Sequence, residues 1–263
     1  MSSPIISLSG KVALITGCTS GIGRETAILF KKLGATLFLT GRNEERLAAL
    51  QTELTAEPVD GQQINALSAD LASEADCRKL IQSVQAKYNK LDILVNNAGL
   101  LKKGTVETQT LEDYDYVMNV NLRAIFYLTQ LATPMLKLSQ GNVVNVSSVN
   151  GMRSFPGVLA YNISKAGLDQ FTRCSALELA PYNVRVNSVN PGVTVTNIHK
   201  TGGMDEEAYK AFLIHSQSTH PLGRAGETTE VANTIAFLSS SAASFITGST
   251  VPVDGGRHAT CFR

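Results

Sequence analysis

Tyr161 and Lys165 stand four residues apart in the run Tyr161-Asn-Ile-Ser-Lys165. On a helix those positions share a face, so a phenol and an ammonium become neighbours. A free phenol ionises near about pH 10, too high for efficient proton exchange at neutrality. A cation alongside favours the phenolate and lowers that pKa. The pair is a candidate acid–base device, although the same spacing on many amphipathic helices is only a surface aromatic beside a solvated lysine. A second segment with chemical potential is Thr16-Gly17-Cys18-Thr19-Ser20-Gly21-Ile22-Gly23. Its glycines permit positive φ and close backbone approach. A helix beginning at its end would offer free N–H groups and a positive dipole end to a pyrophosphate. The spacing is GxxxGxG, not the commoner GxGxxG, and a tight turn without a ligand is the alternative.

The elements that must position these groups alternate. Short apolar runs at 11–16, 35–40, 63–68, 91–95, 142–146, 184–189 and 249–253 predict strands. Amphipathic runs at 22–33, 44–54, 73–88, 111–138, 159–179 and 228–238 predict helices, with Gly34 as a stop and Ser73 as an N-cap. Nearly continuous apolar strands between helices predict an α/β fold: one Rossmann-type, doubly wound parallel sheet of about seven strands with helices on both faces. In such sheets ligands bind at the carboxyl ends of the strands. Asn96-Asn97-Ala98-Gly99, Ser147-Ser148 and Asn190-Pro191-Gly192 fall at three further strand ends and converge with the glycine loop. No composition shift or linker divides residues 1–263, which read as one dinucleotide-binding catalytic domain. A Gly-, His-, Thr- and Ser-rich segment at about 193–220 interrupts the alternation and reads as an insertion covering the site.

The residues Thr16–Gly23, Asn96–Gly99, Ser148, Tyr161, Lys165 and Pro191-Gly192, in this order, resemble the short-chain dehydrogenase/reductase family, over about residues 10–256. Ser148 precedes Tyr161 by thirteen residues, as the family's pattern asks, which sets it above Ser147. The resemblance implies that Tyr161 exchanges a proton with the carbonyl or alcohol oxygen. It implies that Lys165 holds the nicotinamide ribose and lowers the phenol's pKa, and that Ser148 hydrogen-bonds the reacting oxygen. Asn121 matches the asparagine of the proton relay, with Asn119 as its competitor. For the cofactor it implies Gly17, Thr19, Ser20, Gly21, Ile22 and Gly23 at the pyrophosphate, and Asp70 with Leu71 near the adenine. Asn97, Ala98 and Gly99 would flank the cofactor, and Pro191, Gly192, Val193 and Thr196 would pass beside the nicotinamide. Asp70 as a turn cap, and Asn97 and Gly99 as structural residues, are the alternatives.

After the second strand the chain reads Leu39-Thr40-Gly41-Arg42-Asn43, with no acid to bond a ribose 2′-OH. Arg42 suits a 2′-phosphate, so the expected cofactor is NADP(H), with NAD(H) as the alternative. Arg42 paired with Glu45 is the solvated reading. The chain is similar to 3-oxoacyl carrier-protein reductases and to carbonyl or hydroxysteroid reductases. Several carrier-protein reductases carry an arginine where this chain has Leu177, a departure that favours a free small molecule. The expected activity is NADPH-dependent reduction of a small, lipophilic ketone or aldehyde. An NAD-dependent alcohol or hydroxysteroid dehydrogenase and a non-catalytic dinucleotide-binding regulator are the rivals.

A net charge of +1 gives no field to draw nucleic acid, and no apolar run is long enough to span a membrane. Neither the four histidines nor the four cysteines show metal-ligand spacing. The histidines read as solvent or loop residues, and the cysteines as free thiols in a reducing, cytoplasmic compartment. Charged residues make up 17% of the chain, and the stretches 116–136 and 167–179 are especially poor in them. Such helices want a partner, in keeping with the homotetramers or homodimers the resemblance implies.

Overall fold

The computed structural model describes residues 6–57 and 61–260. Seven parallel strands form one sheet in the order β3-β2-β1-β4-β5-β6-β7. They are β1 (Val12–Thr16), β2 (Thr36–Gly41), β3 (Ile64–Ser68), β4 (Ile93–Asn96), β5 (Asn142–Val146), β6 (Arg185–Pro191) and β7 (Thr250–Val253). Among the described residues the helices are α1 (Gly21–Lys32), α2 (Glu44–Thr55), α3 (Glu74–Tyr88), α4 (Leu111–Met118), α5 (Ala124–Ser139), α6 (Leu159–Leu179), α7 (Ile198–Thr201), α8 (Glu206–Thr219) and α9 (Thr228–Ser239). This is the doubly wound α/β architecture that the alternation predicts.

Strand periodicity explains the two layers of helices. In β1, Ala13 and Ile15 join a core with α1, α2 and α9, while Val12 and Leu14 join the core under α3, α5 and α6. Successive side chains point to opposite faces, so a strand apolar at every position demands cover on both. The chain runs outward from β1 to β3 and then returns to lay β4 on the other side of β1. The loops after β1 and β4 therefore part, and the crevice between them is the ligand position of such sheets.

The expected helix at 111–138 is interrupted. A π-helical turn at Asn119–Arg123 separates α4 from α5. Such a turn carries an extra residue per turn and re-aims side chains, and it occurs often at functional sites. The expected insertion at 193–220 holds α7 and α8. Its stem is closed by backbone bonds from Val195 N–H to the Gly226 carbonyl (2.9 Å) and from Gly226 N–H to the Val193 carbonyl (2.8 Å).

Candidate active site

The floor of the crevice is tied by Thr16 and Asn97. The Thr16 hydroxyl accepts the N–H groups of Asn97 and Ala98, both at 3.0 Å. Asn97 Nδ2 donates to the carbonyls of Thr16 (2.9 Å) and Gly17 (3.0 Å). Gly17 and Gly21 have φ of +63° and +56°, the left-handed region that favours glycine. A Cβ on Gly23 would stand 2.3 Å from Asn97 Nδ2 and 2.5 Å from the Gly17 carbonyl. Gly23 thus does not line the cleft; it lets α1 close onto the loop. Asn97 does line it, but its amide is spent as a clasp. Ser20, the N-cap of α1, makes no side-chain capping bond, so the first N–H groups of the helix remain for an anion.

A cleft of about 780 Å³ opens on this floor, and Ser148, Tyr161 and Lys165 all line it. α6 carries the tyrosine and lysine on its buried face. Its start is fixed to the loop after β4 by Gly104 N–H to the Gly157 carbonyl (2.9 Å) and Leu159 N–H to the Gly104 carbonyl (3.1 Å). The Lys165 ammonium lies 5.6 Å from the centre of the Tyr161 ring and donates to the Val146 carbonyl at 2.8 Å. The phenol differs from expectation in one respect. Burial pushes its pKa up to about 12, and the Ser148 hydroxyl, not Lys165, is the group that pulls it down. Burial likewise brings Lys165 down to about 8, against the pull of Asp169. Desolvation wins because both groups sit in the wall, with the ammonium turned to a main-chain carbonyl rather than to the hydroxyl.

The competing residues separate cleanly. Ser147 turns inward, its hydroxyl 3.3 Å from the Lys165 carbonyl, whereas Ser148 faces Tyr161. Asn119 donates to the Ala72 carbonyl at 3.2 Å, away from the site. Asn121, carried inward by the π-helical turn, is fully buried and pairs with both backbone groups of Leu100 (2.9 and 2.8 Å) and with the Ser164 hydroxyl (3.1 Å). It lies behind the lining rather than in it. A Cβ on Gly99 would lie 3.4 Å from Asn121 Oδ1 and 3.6 Å from Lys165 Nζ, which locates these three groups together.

Sequence reasoning missed a buried network behind the serine. Asp169, one turn beyond Lys165, accepts from Asn190 Nδ2 at 2.9 Å, and the same amide nitrogen donates to the Ser148 carbonyl at 2.9 Å. A Cβ on Gly151 would meet Asp169 Oδ2 at 2.3 Å, so the loop after β5 lies directly on this carboxylate. Its i+4 spacing from Lys165 was the available signal.

At the far end, Arg42 lines the cleft and donates to the Tyr116 hydroxyl instead of pairing with Glu45. Arg46, unsuspected from sequence, lines the same end. Asp70 lines it too, while its carboxylate accepts from Ala72 N–H at 3.1 Å, so it does cap the turn after β3. Thr19, Ser20, Ile22, Leu71, Ala98, Pro191, Gly192, Val193 and Thr196 complete the predicted lining. Thr196 Cγ2 would lie 3.3 Å from a Cβ on Gly21, so the loop after β6 reaches across to the glycine loop. His220, read as a solvent or loop residue, is buried at 2% exposure, and its Nε2 accepts the Val193 N–H at 3.1 Å. The described cysteines, Cys18, Cys77 and Cys174, are free; Cys261 lies outside the described residues. Among the described residues there is no cluster of metal-ligating side chains and no helix long and apolar enough to cross a membrane.

A family profile described as Enoyl-(Acyl carrier protein) reductase matches residues 17–258. The 3-oxoacyl-[acyl-carrier-protein] reductase FabG of Thermotoga maritima is 41% identical over 252 residues, 95% of this chain and 98% of that protein. The cyclopentanol dehydrogenase of a Comamonas strain is 36% identical over 250 residues, 95% of this chain and 97% of its own. A solved structure, the Pseudomonas aeruginosa RhlG/NADP active-site complex, superposes with a TM-score of 0.88 at 33% identity, covering 98% of this chain and 100% of that one. Relatives this close along nearly its full length, with the cleft described, establish that the chain belongs to the short-chain dehydrogenase/reductase family and is an NAD(P)-dependent oxidoreductase.

Proposed function

We propose that the chain reduces a small ketone or aldehyde to an alcohol with NADPH as hydride donor. The observation that carries this reading is a buried phenol, beside Ser148 and Lys165, at one end of a cleft whose other end presents two guanidinium groups. The residues fit a dinucleotide: Gly17 and Gly21 bring the loop's backbone to the cleft, and α1 offers uncapped N–H groups. A bound nicotinamide supplies the hydride. Arg42 and Arg46 would hold a 2′-phosphate, which a guanidinium grips bidentately. Lys165 would hold the ribose near Gly99, and Pro191, Gly192, Val193 and Thr196 the nicotinamide edge. Ser148 would orient the carbonyl oxygen, and Tyr161 would give it a proton. Burial keeps the phenol protonated at neutral pH, the form that donates in the reductive direction, and the Ser148 hydroxyl beside it draws its pKa back down. Asn121 keeps Leu100 and Ser164 in register beneath the phenol, so we assign it positioning as well as relay.

Residues 1–263 are read as one catalytic domain, with 193–220 as the cover over the substrate. Leu101, Val149, Phe155, Ile198, Met204 and Phe212 give that end an apolar wall. Thermotoga FabG is named for carrier-protein substrates, but Leu177 here is 79% exposed and offers no charge for an acidic carrier. We infer a homodimer or homotetramer through α5 and α6, supported by exposed Phe126 (48%) and Leu138 (80%) on α5 and exposed Leu177 on α6. A reducing, cytoplasmic setting agrees with two free thiols being buried. The test is nicotinamide absorbance with diketones, aldehydes and ketones: turnover with NADPH at a KM at least about tenfold below that for NADH, with Arg42→Leu erasing the difference. A lower KM for NADH overturns the cofactor assignment.

A further inference from the structure

Resting on the carbonyl-reduction reading, we propose that Arg257 is an anion-recognising residue of the substrate site, and that the carbonyl compound carries a carboxylate or phosphate group. Arg257 opens the short 3₁₀ turn Arg257–Ala259 after β7 and lines the same cleft as Ser148 and Tyr161. Its guanidinium carbon stands 4.4 Å from the centre of the Phe155 ring. Stacking of this kind holds the planar fork in one orientation. Its Nε is buried and has no hydrogen-bond partner among the described residues. Nor does any carboxylate of the described residues form an ion pair with it.

The neighbouring acid, Asp254, is already committed. It accepts from the N–H groups of Gly256 (3.0 Å) and His258 (2.6 Å), and its Oδ2 lies 3.0 Å from His258 Nδ1. These bonds build the turn that presents Arg257. Arg153 Nε donates to the His258 carbonyl at 2.8 Å and ties the same turn to the loop after β5, which carries Ser148. The guanidinium is thus preorganised on two strand ends, β5 and β7, rather than on the cover.

Asp254 lies behind the turn and acts on Arg257 from there, but the charge that lines the cleft beside the guanidinium has one sign. Of the residues lining the cleft, the one acid is Asp70, beside the end of β3 at the opposite end of the cleft. Lys102 and Lys103 line the substrate end; Lys102 pairs with Asp113 at 3.1 Å, whereas Lys103 donates only to the Gly203 carbonyl at 3.3 Å. The His199 imidazole, its centre 4.5 Å from that of the tilted Phe212 ring, is held neutral by burial and by the charges of Arg257 and Lys103. A further cation is repelled here, and an anion would be attracted. A purely apolar ketone would leave a half-desolvated guanidinium facing hydrocarbon, whereas a carboxylate or phosphate would take its donors bidentately.

The test compares matched substrates: a series of keto acids, their methyl esters, and a ketone bearing a phosphate, each with saturating dinucleotide. The wild-type protein is expected to prefer an anionic compound over its neutral partner by about ten- to a hundredfold in kcat/KM, expressed in KM. Which anion is favoured distinguishes carboxylate from phosphate. Arg257→Met should collapse the ratio toward one, and Arg257→Lys should restore part of it. Equal use of acid and ester by the wild-type protein, or a ratio that survives Arg257→Met, overturns the proposal. The wild-type comparison holds even if a variant folds poorly. If no carbonyl of any kind is turned over, the functional reading fails instead. The inference is then read by thermal melting of the dinucleotide-loaded protein, where the acid should raise Tm and its ester should not.

Discussion

At the floor of the cleft, the ties between strand ends reach main-chain atoms: Thr16 and Asn97 bind four backbone groups between them at 2.9 to 3.0 Å. Over the cleft, the cover is joined to the sheet by the backbone bonds of its stem, among Val193, Val195 and Gly226, and by a few side-chain latches. The Tyr209 hydroxyl donates to the Thr196 carbonyl at 2.9 Å, and His220 accepts from Val193 at 3.1 Å. A floor in which a Cβ at Gly17 or Gly23 would lie 2.7 Å or 2.3 Å from its neighbours has no spare volume. A cover joined mainly at its stem, with open space beside Gly203, can change composition and still close. The first region is suited to a cofactor of fixed shape, the second to a substrate that varies between relatives.

The sharpest break of that contrast uses glycines. Gly23→Ala places a Cβ 2.3 Å from Asn97 Nδ2 and should cost about 1–3 kcal/mol of stability. It should also weaken dinucleotide binding by roughly a hundredfold, each 1.4 kcal/mol being about tenfold. Gly203→Ala in the cover meets nothing within 4 Å and bears only the strain of φ +91°, about 1–2 kcal/mol, with dinucleotide affinity kept. Denaturant unfolding and dinucleotide titration of both variants check this, and a larger binding loss from the cover variant would break the comparison.

Asp169 sharpens it, because this carboxylate supports the floor through Asn190 and Lys165. Asp169→Asn keeps the volume and removes the charge that raises Lys165. Activity should fall on the order of tenfold, as for one lost charge-assisted bond. The alkaline limb of the kcat/KM–pH profile should move to lower pH, since Lys165, already brought down to about 8, loses its counter-charge. A uniform loss with an unmoved profile would reduce Asp169 to packing.

The smallest effect concerns the cover's latch. His220 is lowered from 6.5 chiefly by burial, with its bond to the Ser216 carbonyl and Asp254 opposing and Arg257 adding. A folded-state pKa below the unfolded one means the unfolded chain takes up the proton first. Stability is therefore full above about pH 6.5 and falls as pH drops from there through the folded value. Tm should decline more steeply in the wild-type protein than in His220→Gln between about pH 7 and pH 5. Parallel Tm–pH curves would remove the latch.

Much of the floor is legible in the sequence because its signals are local: glycines after an apolar run, a polar pair at a strand end, Tyr161 and Lys165 one turn apart. What escapes depends on long-range placement. No spelling of residues 119–123 announces the π-helical turn that chooses Asn121 over Asn119. Arg46 joins Arg42 only because the start of α2 turns toward the cleft. Arg257 follows the last strand in a segment with no periodicity, and its role emerges only once β7 is laid beside β6. The phenol's pKa escapes for a related reason: spacing reveals the cation next door but not how deeply both groups are buried.

The central claim, that Tyr161 is the proton donor, is tested most directly by Tyr161→Phe, which removes one oxygen from a buried ring. Turnover of a carbonyl substrate should fall by about 10²–10⁴ while dinucleotide affinity stays within a few-fold of the wild-type value. A variant that keeps more than about a tenth of the wild-type kcat, with affinity intact, would contradict the account.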